Sequence, residues 1–137
     1  MKSFKEYIKE SLDIFDAKNG IGQVPSNQDI DYMGFVKYMT PDEFRNLVPP
    51  GVSGEETKEY VVNALREGKK LGQPFLQVKW EDDNGVWLVK DHEGRSRVDA
   101  IAEVYGQEKI PVHIFPYGMR ARDITDEHRN AQFVPQP

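Results

Sequence analysis

Cysteine is absent from this chain of 137 residues, and so is any long apolar run. Without cysteine the protein can form no disulfide, use no thiol nucleophile and hold no metal through thiolates. Its apolar runs reach about four residues, as in VWLV at 86–89, whereas a membrane-spanning helix needs about 20. We therefore expect no membrane partner.

An excess of basic residues is also missing. The formal net charge is −5, from 18 Lys and Arg against 23 Asp and Glu. Proteins that coat nucleic acid are usually basic, because they neutralise its phosphates. Any contact with nucleic acid is therefore expected to be local, through a small basic patch on a chain whose length suits one domain.

The order of strand and helix signals predicts a small α+β (mixed α/β) domain, with a short mixed sheet flanked by helices. Strands are expected at 34–39, 74–80, 86–91 and 110–115, and helices after Thr40, over 55–68, between Gly94 and Gly106, and from Thr125. The dipeptide Asn84-Gly85 predicts a hairpin between the second and third strands.

The ends of the chain are expected to lie outside this compact domain. Residues 1–16 place Phe4, Ile8 and Leu12 on one face of an amphipathic helix. Residues 17–31 contain Gly, Pro, Ser and Asn without periodicity and are interpreted as a linker. The domain is expected to cover 32–134, with the final PQP loose.

The segment VKDHEGRSRVDA at 89–100 carries the strongest functional signal. Free N–H groups at a helix start attract anions, glycine allows close approach of the backbone, and arginine binds phosphate through a bidentate fork. We therefore predict a phosphate-binding turn at Gly94-x-x-Arg97. The alternative left open is that both arginines are only solvated.

Two residues in front of this turn, His92 and Glu93, are candidate catalytic groups. Beside a bound phosphate, an imidazole and a carboxylate can supply a base or hold a divalent cation. The cofactor expected for such a site is Mg²⁺ with a nucleoside triphosphate, and its ligands stay unassigned. Against this, alternation along a strand predicts that His92 and Glu93 point to opposite sides. They would then be polar turn residues only.

The residues GRSRVDA resemble the G-x-x-R-x-x-A box of the ParB N-terminal/sulfiredoxin-like superfamily, with Gly94, Arg97 and Ala100 at the matching positions. The order of a helix, QP, a hairpin, the box helix and an IPV strand over 55–115 is similar too. The resemblance implies a ParB-like fold in which Gly94 and Arg97 contact phosphates, with Arg95 and Ser96 beside them in the phosphate-binding site. It also implies an activity as a nucleotide binder, a nuclease or a nucleotide hydrolase. Sulfiredoxins carry a cysteine where this box has Arg95, which excludes their chemistry.

The first ten residues, MKSFKEYIKE, resemble the capsid-targeting leader of internal head proteins in large tailed phages. Ile8-Lys9-Glu10 fits the (Ile/Leu)-x-Glu site that the prohead protease cuts, which leaves Ser11 as the new N-terminus. The run HEGRSR is likewise similar to a variant of the box in phage-encoded members of the superfamily.

These features together predict a phage ParB-like protein of the virion or the host cytoplasm that binds nucleotide or nucleic acid. The alternative is a non-catalytic protein that is associated with the phage head or interacts with the host as an anti-defence factor. Its partners would be phage head components or a host protein.

Overall fold

The computed structural model describes residues 14–16, 34–51 and 55–137, and these form a small α+β domain. Its elements are β1 (Phe35–Met39), α1 (Pro41–Leu47), α2 (Glu55–Arg66), β2 (Phe75–Glu81), β3 (Val86–Glu93), α3 (Arg95–Tyr105), β4 (Ile110–Pro116), a 3₁₀ turn (Ala121–Asp123), α4 (Asp126–Asn130) and β5 (Phe133–Val134). The predicted fold class is confirmed. None of the described helices is long and apolar enough to cross a membrane.

The five strands form one mixed sheet in the order β1-β4-β2-β3-β5. The predicted hairpin of β2 and β3 is present, with Gly85 at a φ of 64° in its turn. β2 and β4 pair in parallel, whereas β4 pairs with β1 in antiparallel fashion. Phe75 at the start of β2 therefore lies between His113 of β4 and Glu93 at the end of β3. The GRSR turn, residues 94–97, follows the end of β3 and therefore lies at one end of the sheet.

The hydrophobic core joins alternate residues of the strands to apolar residues of α1, α2 and α3. On β2, Leu76 and Val78 are fully buried, while their neighbours are partly exposed. The helices contribute to the same cluster Phe44, Val61, Val62, Leu65, Val98 and Ile101. Burial of such a side chain stabilises the folded state by about 1.5–3 kcal/mol. Packing on this shared core therefore fixes α2 and α3 side by side.

Residues 14–16 belong to the folded domain. Phe15 forms a β-bridge with Leu71, the Leu71 N–H donates to the carbonyl of Ile14 at 2.7 Å, and the side chain of Ile14 is buried in the core. The helix predicted over 1–16 is therefore wrong at these positions, because pairing with Leu71 requires extended backbone. Several predicted features lie outside the described residues: the remainder of that helix, the linker at 17–31, and the processing residues Ile8, Glu10 and Ser11.

The C-terminal residues are held to the domain, whereas the sequence predicted a loose end. The carbonyl of Gln132 accepts a hydrogen bond of 2.9 Å from the N–H of Trp87, and Phe133–Val134 add a fifth strand beside β3. Further on, the N–H of Gln136 donates to the carbonyl of Leu47 at 2.9 Å. A strand of two residues is too short to show alternation of apolar and polar side chains, so the sequence does not predict it.

Candidate functional site

Gly94 makes the junction between β3 and α3 possible. Its φ of 110° and ψ of 16° lie in the left-handed region that favours glycine. A Cβ at this position would lie 2.7 Å from the Cβ and 2.9 Å from the Cα of Pro74. The turn therefore needs glycine both for its backbone angle and for its close approach to Pro74.

The N-terminus of α3 has no capping side chain. Gly94 at the N-cap makes no side-chain hydrogen bond, and the first turn has no acidic residue. The N–H groups of Arg95 and Ser96 have no acceptor within the helix and lie at the positive end of its dipole. By contrast, α1 and α4 both begin with a capping box. The start of α3 therefore has an unmet preference for an anion.

A cavity of about 400 Å³ opens at this helix start. All six residues that the sequence marked as catalytic or phosphate-binding line it: His92, Glu93, Gly94, Arg95, Ser96 and Arg97. Three further lining residues come from α2: Thr57, Tyr60 and Val61. The volume lies within the range of small-molecule sites, roughly 300–1,000 Å³.

The sequence does not assign these residues of α2 to the site, because only the packing of α2 against α3 brings them to the turn. The signal that the sequence does carry is an aromatic residue next to an apolar pair. Tyr60 is a large aromatic residue directly before the buried pair Val61 and Val62, and it is 58% exposed. An exposed aromatic residue on the wall of a cavity offers a flat apolar surface to a ligand.

Arg97 faces protein acceptors. Its side chain is 4% exposed, and Nη1 donates to the carbonyls of Gly72 at 2.7 Å and Gln73 at 3.4 Å. Nη2 lies 3.4 Å from Oε1 of Glu93. Burial lowers the pKa of Arg97, and the charge and hydrogen bond of Glu93 oppose this shift. Arginine nevertheless stays charged, so these contacts tie the loop before β2 to the start of α3.

Arg95 and Ser96 are the polar side chains of the helix start that line the cavity and are only half-buried. Nη1 of Arg95 donates to the carbonyl of Pro49 at 2.8 Å, which holds the side chain against the segment after α1. Its Nε is buried and has no hydrogen-bond partner in the described part of the chain. Arg95 therefore lines the cavity with a side chain that is only half-buried, whereas Arg97 is committed to the protein.

His92 and Glu93 both line the cavity, although alternation predicted opposite sides. Both residues still pair with β2, at Leu76 and Phe75, and a shared cavity wall does not require their side chains to lie on one face of the strand. Nδ1 of His92 lies 2.8 Å from Oε1 of Gln136, and its ring packs edge-on against Phe44 with centroids 6.5 Å apart. These two contacts hold the imidazole in a defined orientation.

The described residues contain no group of three or more His, Asp or Glu side chains that could hold a metal ion. Glu93, the carboxylate nearest the turn, is already paired with Arg97. A divalent cation here would therefore have to take most of its ligands from phosphate oxygens and water, which is the usual habit of Mg²⁺.

Comparisons with protein-family models, with curated proteins and with solved structures find no match for this chain. The resemblance to the ParB N-terminal/sulfiredoxin-like superfamily therefore stays a prediction from the box and the order of elements. The resemblance of residues 1–10 to a phage leader likewise stays a prediction from the sequence.

Proposed function

We propose that this domain binds a phosphate-bearing ligand, a nucleotide or a nucleic acid, in the cavity at the start of α3. The observation that carries the proposal is the uncapped N-terminus of α3, which has no acidic residue in its first turn and opens into a cavity of about 400 Å³. Backbone N–H groups and the helix dipole there favour a bound anion.

Arg95 supports the same function. A cation in the first turn of a helix opposes the helix dipole, so the stability of α3 does not explain it. Bound to phosphate, its guanidinium would make charge-assisted hydrogen bonds. Ser96, the next residue, adds a hydroxyl to the cavity wall. Arg97 takes a supporting part, because it holds the loop at Gly72 against the turn.

Tyr60 favours a ligand with a base as well as a phosphate. Its exposed ring lines the cavity beside the helix start, and nucleobases stack on aromatic side chains. The net charge of −5 is compatible with this function, because a single nucleotide or a few nucleotides need only a local positive site.

Hydrolysis of the ligand is a second candidate function, and His92 favours it. A neutral imidazole beside a bound phosphate can act as a general base toward water. His92 lines the cavity and has one ring nitrogen held by Gln136, as an oriented base requires.

The decisive experiment measures binding of CTP, ATP, GTP and short single-stranded DNA by calorimetry, with and without Mg²⁺. Arg95→Gln is expected to weaken binding about ten- to a hundredfold, because a charge-assisted contact contributes roughly 1.5–3 kcal/mol. Arg122→Gln is the matched control, since Arg122 is exposed and the substitution removes the same positive charge. Equal affinity of both variants and the unmodified chain would remove Arg95 from the site, and binding to none of these ligands would refute the function.

A further inference from the structure

The segment after β5 contacts a residue of the cavity wall, His92, through Gln136. The backbone of this residue is fixed, since its N–H donates to the carbonyl of Leu47 at 2.9 Å and the preceding Phe133–Val134 pair with β3. Its side chain then places Oε1 2.8 Å from Nδ1 of His92. A residue near the very end of the chain is thus in contact with a residue that lines the cavity.

This contact selects one form of the His92 ring. An amide oxygen can only accept a hydrogen bond, so Nδ1 of His92 must carry the proton. In the neutral ring the lone pair then resides on Nε2. Within the described residues, the ring of His92 has no other hydrogen bond, and Nε2 is the nitrogen left for a ligand.

We propose that Gln136 is a positioning residue that holds His92 in the Nδ1–H tautomer and so presents Nε2 to the cavity as an acceptor. The consequence for the ligand rests on the proposed function. A fully ionised phosphate has only acceptors and gains nothing from a lone pair on Nε2, whereas a hydroxyl can donate to it. The ligand class is therefore one that carries a hydroxyl close to its phosphate, as the sugar of a nucleotide does.

The tautomer can be measured without any ligand. Long-range ¹H–¹⁵N spectra of the full chain at about pH 8.5, where histidine rings are neutral, are expected to show Nδ1–H for His92. Gln136→Glu should keep this tautomer, because a carboxylate only accepts, and Gln136→Ala should shift the ring toward Nε2–H. Gln132→Ala, which truncates an exposed amide on the same segment, is the control. Nε2–H in the unmodified chain, or an unchanged ring in Gln136→Ala, would overturn the proposal.

The ligand class is tested with two probes, CTP and inorganic tripolyphosphate. Gln136→Ala should weaken CTP binding about two- to tenfold, the effect of one ordinary hydrogen bond, and leave tripolyphosphate binding unchanged. Equal losses for both probes would overturn the hydroxyl contact. If the unmodified chain binds neither probe, the proposed function and the ligand class fall together, while the spectra still decide the role of Gln136.

Discussion

At the scale of single residues, the two arginines of the GRSR turn have different tasks. Arg97 is buried and donates to the carbonyls of Gly72 and Gln73, so it belongs to the framework of the turn. Arg95 has a buried Nε without a partner in the described residues and lines the cavity. The proposed division into a supporting arginine and a ligand-binding arginine predicts separable effects on stability and on binding.

Arg97→Ala is expected to lower the free energy of unfolding by about 1.5–3 kcal/mol, since charge-assisted hydrogen bonds to buried carbonyls are lost. Urea denaturation of the purified protein measures this. Arg122→Ala is the control and should change stability by less than about 0.5 kcal/mol, as exposed substitutions usually do. Unchanged stability of Arg97→Ala together with weaker nucleotide binding would instead make Arg97 the phosphate contact that the sequence predicted.

His113 is a second residue whose environment has a measurable consequence. It is 7% exposed on β4, its ring stacks on Phe115 with centroids 5.3 Å apart, and its Nδ1 is buried without a partner among the described residues. Burial lowers the pKa of His113. The folded protein therefore binds a proton at this ring less readily than the unfolded chain does.

Stability is consequently expected to fall as the pH is lowered through about 6.5, the ordinary pKa of histidine, because the unfolded chain takes up a proton that the folded state resists. Above that pH the contribution is fully retained. His113→Gln should flatten the dependence between pH 7.5 and 5.5, a range above most carboxylate titrations. Urea denaturation across this range is the measurement, and an equally steep dependence in the variant would assign it to other groups.

At the scale of elements, α3 begins differently from α1 and α4. Thr40 and Glu43 form a capping box at α1, and Thr125 and His128 form one at α4, whereas α3 has only Gly94. Caps satisfy N–H groups that would otherwise need water or a ligand. The cap of α1 also matters for the cavity, because that helix carries the ring that packs on His92.

Thr40→Ala is expected to cost about 1 kcal/mol of stability, within the usual range of roughly 0.5–2 kcal/mol for loss of an N-cap. Thermal unfolding checks this value. Thr125→Ala, at the matching position of α4, is the comparison and should cost a similar amount. Unchanged stability of both variants would mean that water satisfies the helix N–H groups as well as the threonine hydroxyls do.

At the scale of the whole molecule, both ends of the described chain contribute to the domain. Ile14 is buried in the core and pairs through its carbonyl with Leu71, and Gln136 contacts both Leu47 and His92. The leader proposed at residues 1–10 would end four residues before Ile14, as counted along the sequence. Processing after Glu10 would therefore leave the core residue in place.

If residues 1–10 are a packaging leader, the protein taken from mature virions should begin at Ser11. Mass spectrometry of its N-terminal peptide decides this, and Glu10→Ala should block the cut. Removal of 1–10 is expected to leave the free energy of unfolding unchanged, whereas removal of 1–16 should cost about 2 kcal/mol or more, because Ile14 leaves the core. An intact Met1 or Lys2 in virions would reject the leader.

Local signals were sufficient for most elements of the fold. The helix start after Thr40 and the Asn84-Gly85 turn are predicted from neighbours along the chain, and both are present in the structure. The segment at 14–16 and the strand at 133–134 were missed. Each consists of two or three residues whose backbone hydrogen bonds are made by distant parts of the chain, at Leu71 and at Trp87.

The sequence by itself determined where an anion site could form, because glycine, a helix start and arginine adjoin each other along the chain. Only the tertiary structure decided which groups face the cavity. Arg97 turns to the carbonyl of Gly72, Tyr60 arrives from α2, and Gln136 reaches His92 across 44 residues. The physical reason is that a side chain's partners are set by packing between elements, and contacts so distant along the chain leave no periodic signal in the sequence.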